Sequence, residues 1–139
     1  MRYHRKVYPL SIRYHRKVYK PLLSDFFMDI ESELYKQNPW WEAKFEEKTY
    51  FREIYLNEIF KNLKNKEIIF LTGLRRIGKT TILRQAIQKL IMDKINPKEI
   101  FFLSLDSFTL LEHSIHGLIE KYREIHKKSV SDFFYLFLD

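Results

Sequence analysis

The sequence predicts an α/β fold in which helices cover a parallel β-sheet. Three short apolar runs are typical of buried parallel strands, and they lie at Ile68–Leu71, at Ile100–Leu105, which includes Ser104, and at Phe133–Leu138. Amphipathic helical patterns over residues 79–94 and 114–127 separate these runs. The resulting order β-α-β-α-β implies parallel strands joined by right-handed crossovers.

The positive charge of the chain is concentrated at its N-terminus. The 139 residues carry a formal charge of +7, but residues 1–20 hold all of this excess and no acidic side chain, so the remainder is neutral. The tail repeats one heptapeptide, at Arg2–Tyr8 and again at Arg13–Tyr19. Basic side chains with interleaved tyrosines are the pattern of an arm that contacts phosphates and stacks on bases, so nucleic-acid binding through residues 2–20 is one interpretation. The interpretation that we favour is a recent duplication of a short solvated segment, or an upstream stretch that is not part of the native protein, with Met28 as a plausible alternative start.

Helices precede the sheet. Apolar spacing predicts a helix over residues 24–37, which Asn38-Pro39 ends, and a longer helix over residues 42–64. The Trp40-Trp41 pair between them either stacks on a ligand or packs in the interior, and packing is the commoner use of such a pair. The chain therefore divides into a basic duplicated tail (1–23), an N-terminal helical segment (24–66) and a partial nucleotide-binding core (67–139).

Composition excludes several kinds of protein. The chain has no cysteine, which excludes disulfides, thiolate zinc sites, iron–sulfur clusters and cysteine nucleophiles. No apolar run approaches the ~20 residues that span a bilayer, so we expect a cytoplasmic protein without a membrane partner. The histidines show no metal-ligand spacing and are expected at the surface; they are His113, His116 and His126.

One motif carries the chemistry. Residues Gly73–Thr80 read Gly-Leu-Arg-Arg-Ile-Gly-Lys-Thr and match the phosphate-binding loop (Walker A) pattern G-x-x-x-x-G-K-[ST] at every fixed position. A predicted strand runs into the loop and a predicted amphipathic helix leaves it, which is the context that the motif requires. The alternative, a glycine turn followed by a surface lysine, does not account for this context.

Each residue of the loop has a physical reason to be there. Gly73 and Gly78 let the backbone turn through conformations that other residues avoid. The backbone amides at the start of the following helix point inward and form a nest for anions. The predicted cofactor-binding residues are Gly73, Arg76, Ile77, Gly78, Lys79, Thr80 and Thr81.

Individual side chains have distinct predicted roles. Lys79, the predicted catalytic residue, reaches the β- and γ-phosphates of ATP, and the Thr80 hydroxyl ligates Mg²⁺. Thr81 either supports the loop or lies near the α-phosphate. The side chains of Arg75 and Arg76 pair with phosphates or a neighbouring subunit, or are simply solvated.

A second predicted metal residue ends the last apolar run. Asp139 follows Phe133–Leu138 directly, and in phosphate-loop NTPases a buried strand of this type delivers a carboxylate to the Mg²⁺ shell through water. Asp106 follows the preceding predicted strand and is the competing candidate. Both acids are expected at the carboxyl edge of the sheet, where ligands bind.

These motifs, together with Asn38-Pro-Trp-Trp41, make the chain resemble the archaeal and bacterial AAA-type ATPases that carry a C-terminal domain of nuclease-like character. The resemblance covers about residues 28–139 and departs in Leu74, where family members commonly have proline. It implies a P-loop NTPase fold with a three-layer parallel sheet, ATP and Mg²⁺ as cofactors, and a homo-oligomer for the full-length protein.

The resemblance also implies missing parts. Such ATPases follow the acid equivalent to Asp139 with a glutamate that polarises the attacking water, and this sequence stops at Asp139. In this family a later strand lies between the strand of the phosphate loop and the strand of Asp139. Its loss is expected to leave a gap with apolar edges. We therefore expect an incomplete sheet of about three strands, in the front part of a larger ATPase.

Three functions are compatible with these observations. The first, which we expect, is an ATP-binding, Mg²⁺-dependent ATPase module that is catalytically complete only with the missing parts. The second is a non-hydrolysing nucleotide-binding remnant that acts by protein contacts. The third is a nucleic-acid binder that works through the basic tail.

Overall fold

A computed structural model describes residues 23–65 and 67–139, so the duplicated tail and the nucleic-acid role predicted for it lie outside the described residues. The described chain is an α/β unit with four α-helices and one parallel pair of strands. In chain order the elements are α1 (Leu23–Gln37), α2 (Glu53–Leu63), α3 (Lys79–Met92), β1 (Ile100–Leu103), α4 (Ile115–His126) and β2 (Tyr135–Leu138). Among these described residues, no helix has the length and apolar character needed to cross a membrane.

The two strands pair in parallel, as the predicted strand–helix–strand order requires. Ile100 lies opposite Tyr135, and Leu103 lies opposite Leu138. The ladder continues one step further, because the Asp139 amide donates to the Leu103 carbonyl at 2.9 Å. All four residues of β1 are buried, so this strand is the centre of the hydrophobic core.

The outer edge of β1 is covered by side chains instead of a strand. Asn38 Oδ1 accepts from the Phe102 amide at 2.7 Å, and Asn38 Nδ2 donates to the Phe102 carbonyl at 2.9 Å. The second hydrogen of the same Nδ2 is directed to the Leu34 carbonyl at 2.8 Å. Asn38 is 0% exposed. Its amide therefore pairs with the edge of β1 as a neighbouring peptide group would.

Other side chains form hydrogen bonds with the backbone groups of this edge on either side of Phe102. The indole N–H groups of Trp40 and Trp41 donate to the Ile100 carbonyl at 3.0 and 2.9 Å. Gln37 Oε1 accepts from the Ser104 amide at 2.9 Å. Both indoles are buried. The tryptophan pair thus packs in the core and caps a strand edge, and does not form a ligand-stacking surface.

An aromatic cluster joins α4 to this edge. Phe101 and Tyr122 stack with their centroids 4.4 Å apart, and the His126 ring meets the edge of Trp41 at 4.4 Å. His126 Nε2 is buried and has no hydrogen-bond partner among the described residues. Burial, aided by the positive charge of two nearby lysines, lowers the pKa of His126 to about 4. The surface position expected for this histidine is wrong, whereas His116 is exposed.

The predicted strand at Ile68–Leu71 is not a strand in the structure. A groove of about 620 Å³ separates this segment from Phe133–Asp139, so no strand of the described residues lies beside it to complete a ladder. Ile68 and Phe70 are more than 80% exposed. Apolar composition alone did not make this segment a strand, because a strand exists only when its backbone groups find a partner.

The predicted helix over residues 42–64 is wrong in its first half. Only Glu53–Leu63 is helical, and residues 42–52 form a linker that runs beside α3. Within this linker the Glu47 amide donates to Gln88 Oε1 at 3.1 Å. A helix would have required that amide for its own ladder, so the side chains of α3 replace the helical hydrogen bonds.

We expect Asn38→Leu to lower the free energy of unfolding by about 2–4 kcal/mol, because it leaves the buried Phe102 amide and carbonyl without partners. Asn57→Leu is the control, since Asn57 is exposed on α2, and we expect a change within about 0.5 kcal/mol. Urea denaturation measures both values. Equal losses in the two variants would contradict the edge-covering role of Asn38.

We expect the free energy of unfolding to fall as the pH drops from about 6.5 to about 4, because the unfolded His126 binds a proton in this range and the folded one does not. His126→Phe removes this titration and keeps an aromatic ring against Trp41, so its stability should depend less on pH. Denaturation at a series of pH values measures the slope, with His116→Phe as the exposed control. An unchanged slope in His126→Phe would refute the assignment.

Candidate functional site

The glycine-rich loop joins residue 72 to the first turn of α3. Gly78 precedes the helix with φ 91°, and Arg76 has φ 65°. Gly73 has φ 154°. Both glycines therefore have a positive φ that other residues adopt only with strain. The fixed glycine positions of the motif thus have a physical cause in this backbone.

The first turn of α3 has the properties of an anion site. The amides of Lys79, Thr80 and Thr81 precede the first helical hydrogen bond, which runs from the Ile82 amide to the Gly78 carbonyl at 3.1 Å. No side chain caps this end, and its first turn contains no acidic residue. The positive end of the helix dipole therefore faces outward without a counter-charge from that turn.

Lys79 lies folded back over the loop. Its Nζ donates to the Leu74 carbonyl at 2.8 Å and to the Gly73 carbonyl at 3.2 Å. Both acceptors are neutral, and both bonds are exposed. Charged phosphate oxygens would form stronger hydrogen bonds with the ammonium group than these carbonyls do. The side chain is thus held at the loop by contacts that an anion could replace.

Thr80 and Asp139 meet at the carboxyl end of β2. Thr80 Oγ1 donates to Asp139 Oδ2 at 2.7 Å. Both strands fix the acid in place, because its amide donates to Leu103 and its carbonyl accepts from Leu105, each at 2.9 Å. The structure thus brings together the two residues predicted to hold Mg²⁺; their metal role stays a prediction.

The competing acid lies elsewhere. Asp106 Oδ1 accepts a hydrogen bond from the Ser104 hydroxyl, so its carboxylate is engaged beyond the end of β1. Thr80 makes its hydrogen bond with Asp139 instead. In the part of the chain that the structure describes, no three histidine or acidic side chains come together as a metal site. A cation here would keep most of its ligands from water and phosphates, as Mg²⁺ commonly does.

The remaining predicted residues surround the loop. Arg75, Arg76 and Ile77 are exposed at its tip, and Thr81 is half-buried in the first turn of α3. Ile77 also supplies a carbonyl that accepts from Arg52 Nη1 at 2.9 Å. None of these positions assigns a nucleotide contact to the two arginine side chains.

Arg52 is the residue at this site that sequence reasoning missed. It lies at the end of the linker, 25 positions before the carbonyl that it contacts. Its amide donates to Oε1 of the fully buried Gln85 at 3.1 Å. Gln85 is a polar residue among the inward-facing positions of α3, and it was the one signal in the sequence. That signal did not identify Arg52 as its partner.

Comparisons with known proteins identify the family of the chain. A family described as the AAA domain matches residues 65–139, which is more than half of the chain. The chain belongs to this AAA domain family. The matched region includes the loop, α3, both strands and Asp139, whereas Arg52 lies before it.

One relative extends the comparison beyond the AAA domain. An uncharacterized protein of Methanocaldococcus jannaschii is 34% identical over 82 residues, which cover 58% of this chain and 17% of that protein. The matched part thus spans about one sixth of the relative's length. No solved structure matches the chain significantly.

Proposed function

We propose that the chain is an AAA-type module that binds ATP together with Mg²⁺ at the loop Gly73–Thr81. The observation that carries the proposal is the uncapped start of α3, whose first three backbone amides precede the helical hydrogen bonds, together with the Lys79 ammonium held on the carbonyls of the loop. Membership of the AAA domain family supports a nucleotide as the anion. The choice of ATP among nucleotides follows from the resemblance to AAA-type ATPases.

The residues at the loop fit the phosphate chain of a nucleotide. The amides of Lys79, Thr80 and Thr81 would donate to phosphate oxygens, and the helix dipole favours the negative charge. The Lys79 ammonium would exchange its hydrogen bonds to Gly73 and Leu74 for charge-assisted bonds to the β- and γ-phosphates. This exchange needs only a rotation of the side chain, because the acceptors are part of the loop itself.

The Thr80–Asp139 pair fits Mg²⁺. A hydroxyl and a carboxylate oxygen are hard ligands of the kind that this ion prefers. Their 2.7 Å hydrogen bond keeps both oxygens at one point beside the loop. Thr80 would bind the ion directly and Asp139 would bind it through water, while the bound ion neutralises charge between the β- and γ-phosphates.

Binding and hydrolysis are separate properties of such a site. Fast hydrolysis requires a group that positions the attacking water and accepts its proton. In the resembled ATPases this group is the glutamate after the acid equivalent to Asp139. The loop, Lys79 and the Thr80–Asp139 pair account for binding, so nucleotide binding is what we propose for these residues. Turnover and a nuclease-like partner domain stay predictions.

We expect Lys79→Ala to weaken MgATP binding at least tenfold, because it removes a charge-assisted hydrogen bond to the phosphates. Lys89→Ala is the matched control on the same helix, since Lys89 pairs with Asp93 at 2.6 Å and lies away from the loop. Isothermal titration calorimetry at constant ionic strength measures both affinities. Equal affinities for the two variants would refute the proposed site.

We expect Asp139→Asn to reduce the gain in ATP affinity that Mg²⁺ provides, because the amide is a weaker ligand and carries no charge. Asp106→Asn is the control for the competing acid, and it should leave the gain unchanged. The measurement compares ATP titrations with Mg²⁺ and with EDTA. If Asp106→Asn has the larger effect, the metal assignment to Asp139 is wrong.

A further inference from the structure

The guanidinium group of Arg52 packs against the phosphate loop from outside the motif. Its Nη1 donates to the Ile77 carbonyl at 2.9 Å. A Cβ built on Gly78 would lie 2.8 and 3.0 Å from the two terminal nitrogens of the same group. The guanidinium group of Arg52 therefore lies directly against Gly78.

The main chain at Arg52 is itself fixed to the helix that begins at the loop. Gln85 of α3 is 0% exposed, and its Oε1 accepts from the Arg52 amide at 3.1 Å. Its Nε2 donates to Thr49 Oγ1 at 2.8 Å and to the Tyr50 carbonyl at 2.7 Å. One buried amide thus binds three groups of the linker, so the base of the Arg52 side chain cannot move freely relative to α3.

The hydrogen bond to Ile77 determines the direction of the next amide. The Ile77 carbonyl and the Gly78 N–H belong to one planar trans peptide group, so they point in opposite directions. A carbonyl held toward Arg52 therefore directs the Gly78 N–H away from Arg52. Gly78 is in the left-handed region with φ 91°, where glycine adopts several conformations readily. The hydrogen bond from Arg52 to the Ile77 carbonyl therefore favours one orientation of the Ile77–Gly78 peptide.

We propose that Arg52 is a positioning residue for the phosphate loop. It holds the Ile77–Gly78 peptide in the orientation that presents the Gly78 N–H to a phosphate, and it does so without touching the nucleotide. The consequence for affinity rests on the proposed function, whereas the orientation of the peptide is a property of the nucleotide-free protein. The N-terminal linker thus contributes to the site of the AAA domain.

The test compares Arg52→Met, Arg52→Lys and Arg84→Met in the whole chain. Methionine keeps an unbranched apolar stem but has no donor, and lysine keeps the charge without the planar fork. Arg84 is exposed on α3, so Arg84→Met is matched in charge. Hydrogen–deuterium exchange of the nucleotide-free protein is read at the Ile82 amide, which donates to the Gly78 carbonyl at 3.1 Å; we call this loop exchange. Calorimetry with Mg²⁺ and ATPγS reports on affinity.

We expect Arg52→Met to raise loop exchange about tenfold, because the Ile77–Gly78 peptide loses its fixed orientation, and to weaken ATPγS binding by a similar factor. Arg52→Lys should have an intermediate effect and Arg84→Met none. Exchange in β1 and α4 should stay unchanged, which a merely structural role of Arg52 would not produce.

Three results would overturn the inference. The first is unchanged loop exchange in Arg52→Met, even if affinity falls, since the residue would then act by direct contact or by charge. The second is an equal loss of affinity in Arg84→Met, which indicates long-range electrostatics. The third is faster exchange throughout the protein. Failure of the wild-type chain to bind ATPγS refutes the proposed function instead, while faster loop exchange in Arg52→Met would still support the positioning role.

Discussion

The fold depends on how the outer edge of β1 is satisfied. A buried strand with one partner strand has a second row of amides and carbonyls that must find hydrogen bonds. Here the amide of Asn38 supplies both a donor and an acceptor to Phe102, and two indole N–H groups saturate the Ile100 carbonyl. Residues 37–41 therefore stand in the place of a strand. This explains why Asn-Pro-Trp-Trp follows a helix directly: the turn directs one amide hydrogen of Asn38 and both indole hydrogens at one edge.

The covered edge also determines where the linker can run. Once Trp40 and Trp41 are anchored on β1, residues 42–52 leave from a fixed point and pass beside α3. Gln88 and then Gln85 bind the linker amides, and the linker ends with Arg52 at the phosphate loop. A continuous set of contacts thus connects the aromatic core to the phosphate loop. Each contact is a hydrogen bond to a backbone group, so the path depends on main-chain position more than on side-chain volume.

The sequence was sufficient to predict the parts of the fold that depend on patterns among neighbouring residues. Periodicity located α1, α3 and α4, and the apolar runs located both strands of the sheet. The proximity of Thr80 and Asp139 could be predicted too, because the loop and the acid both belong at the carboxyl edge of a parallel sheet. The errors share a different cause. The linker is not helical because glutamine side chains of α3 compete for its amides, and Ile68–Leu71 is not a strand because pairing requires a neighbour. The role of Arg52 depends on residues 25 and 33 positions away, which no local pattern encodes.

The missing ladder at Ile68–Leu71 explains why the contact from Arg52 matters. In a loop that connects a paired strand to a helix, both ends are anchored and the backbone between them has little freedom. Here residues 68–71 lead into the loop beside an open groove, with Ile68 and Phe70 exposed. The sheet therefore does not hold the N-terminal end of the loop. The orientation of the loop must then come from α3 and from groups that contact its tip. Arg52 is the side chain whose guanidinium lies against Gly78, and its own backbone is bound to α3 by Gln85. The helix therefore anchors the loop twice, directly through Lys79 and indirectly through the linker, and this double attachment replaces the constraint that a strand would supply.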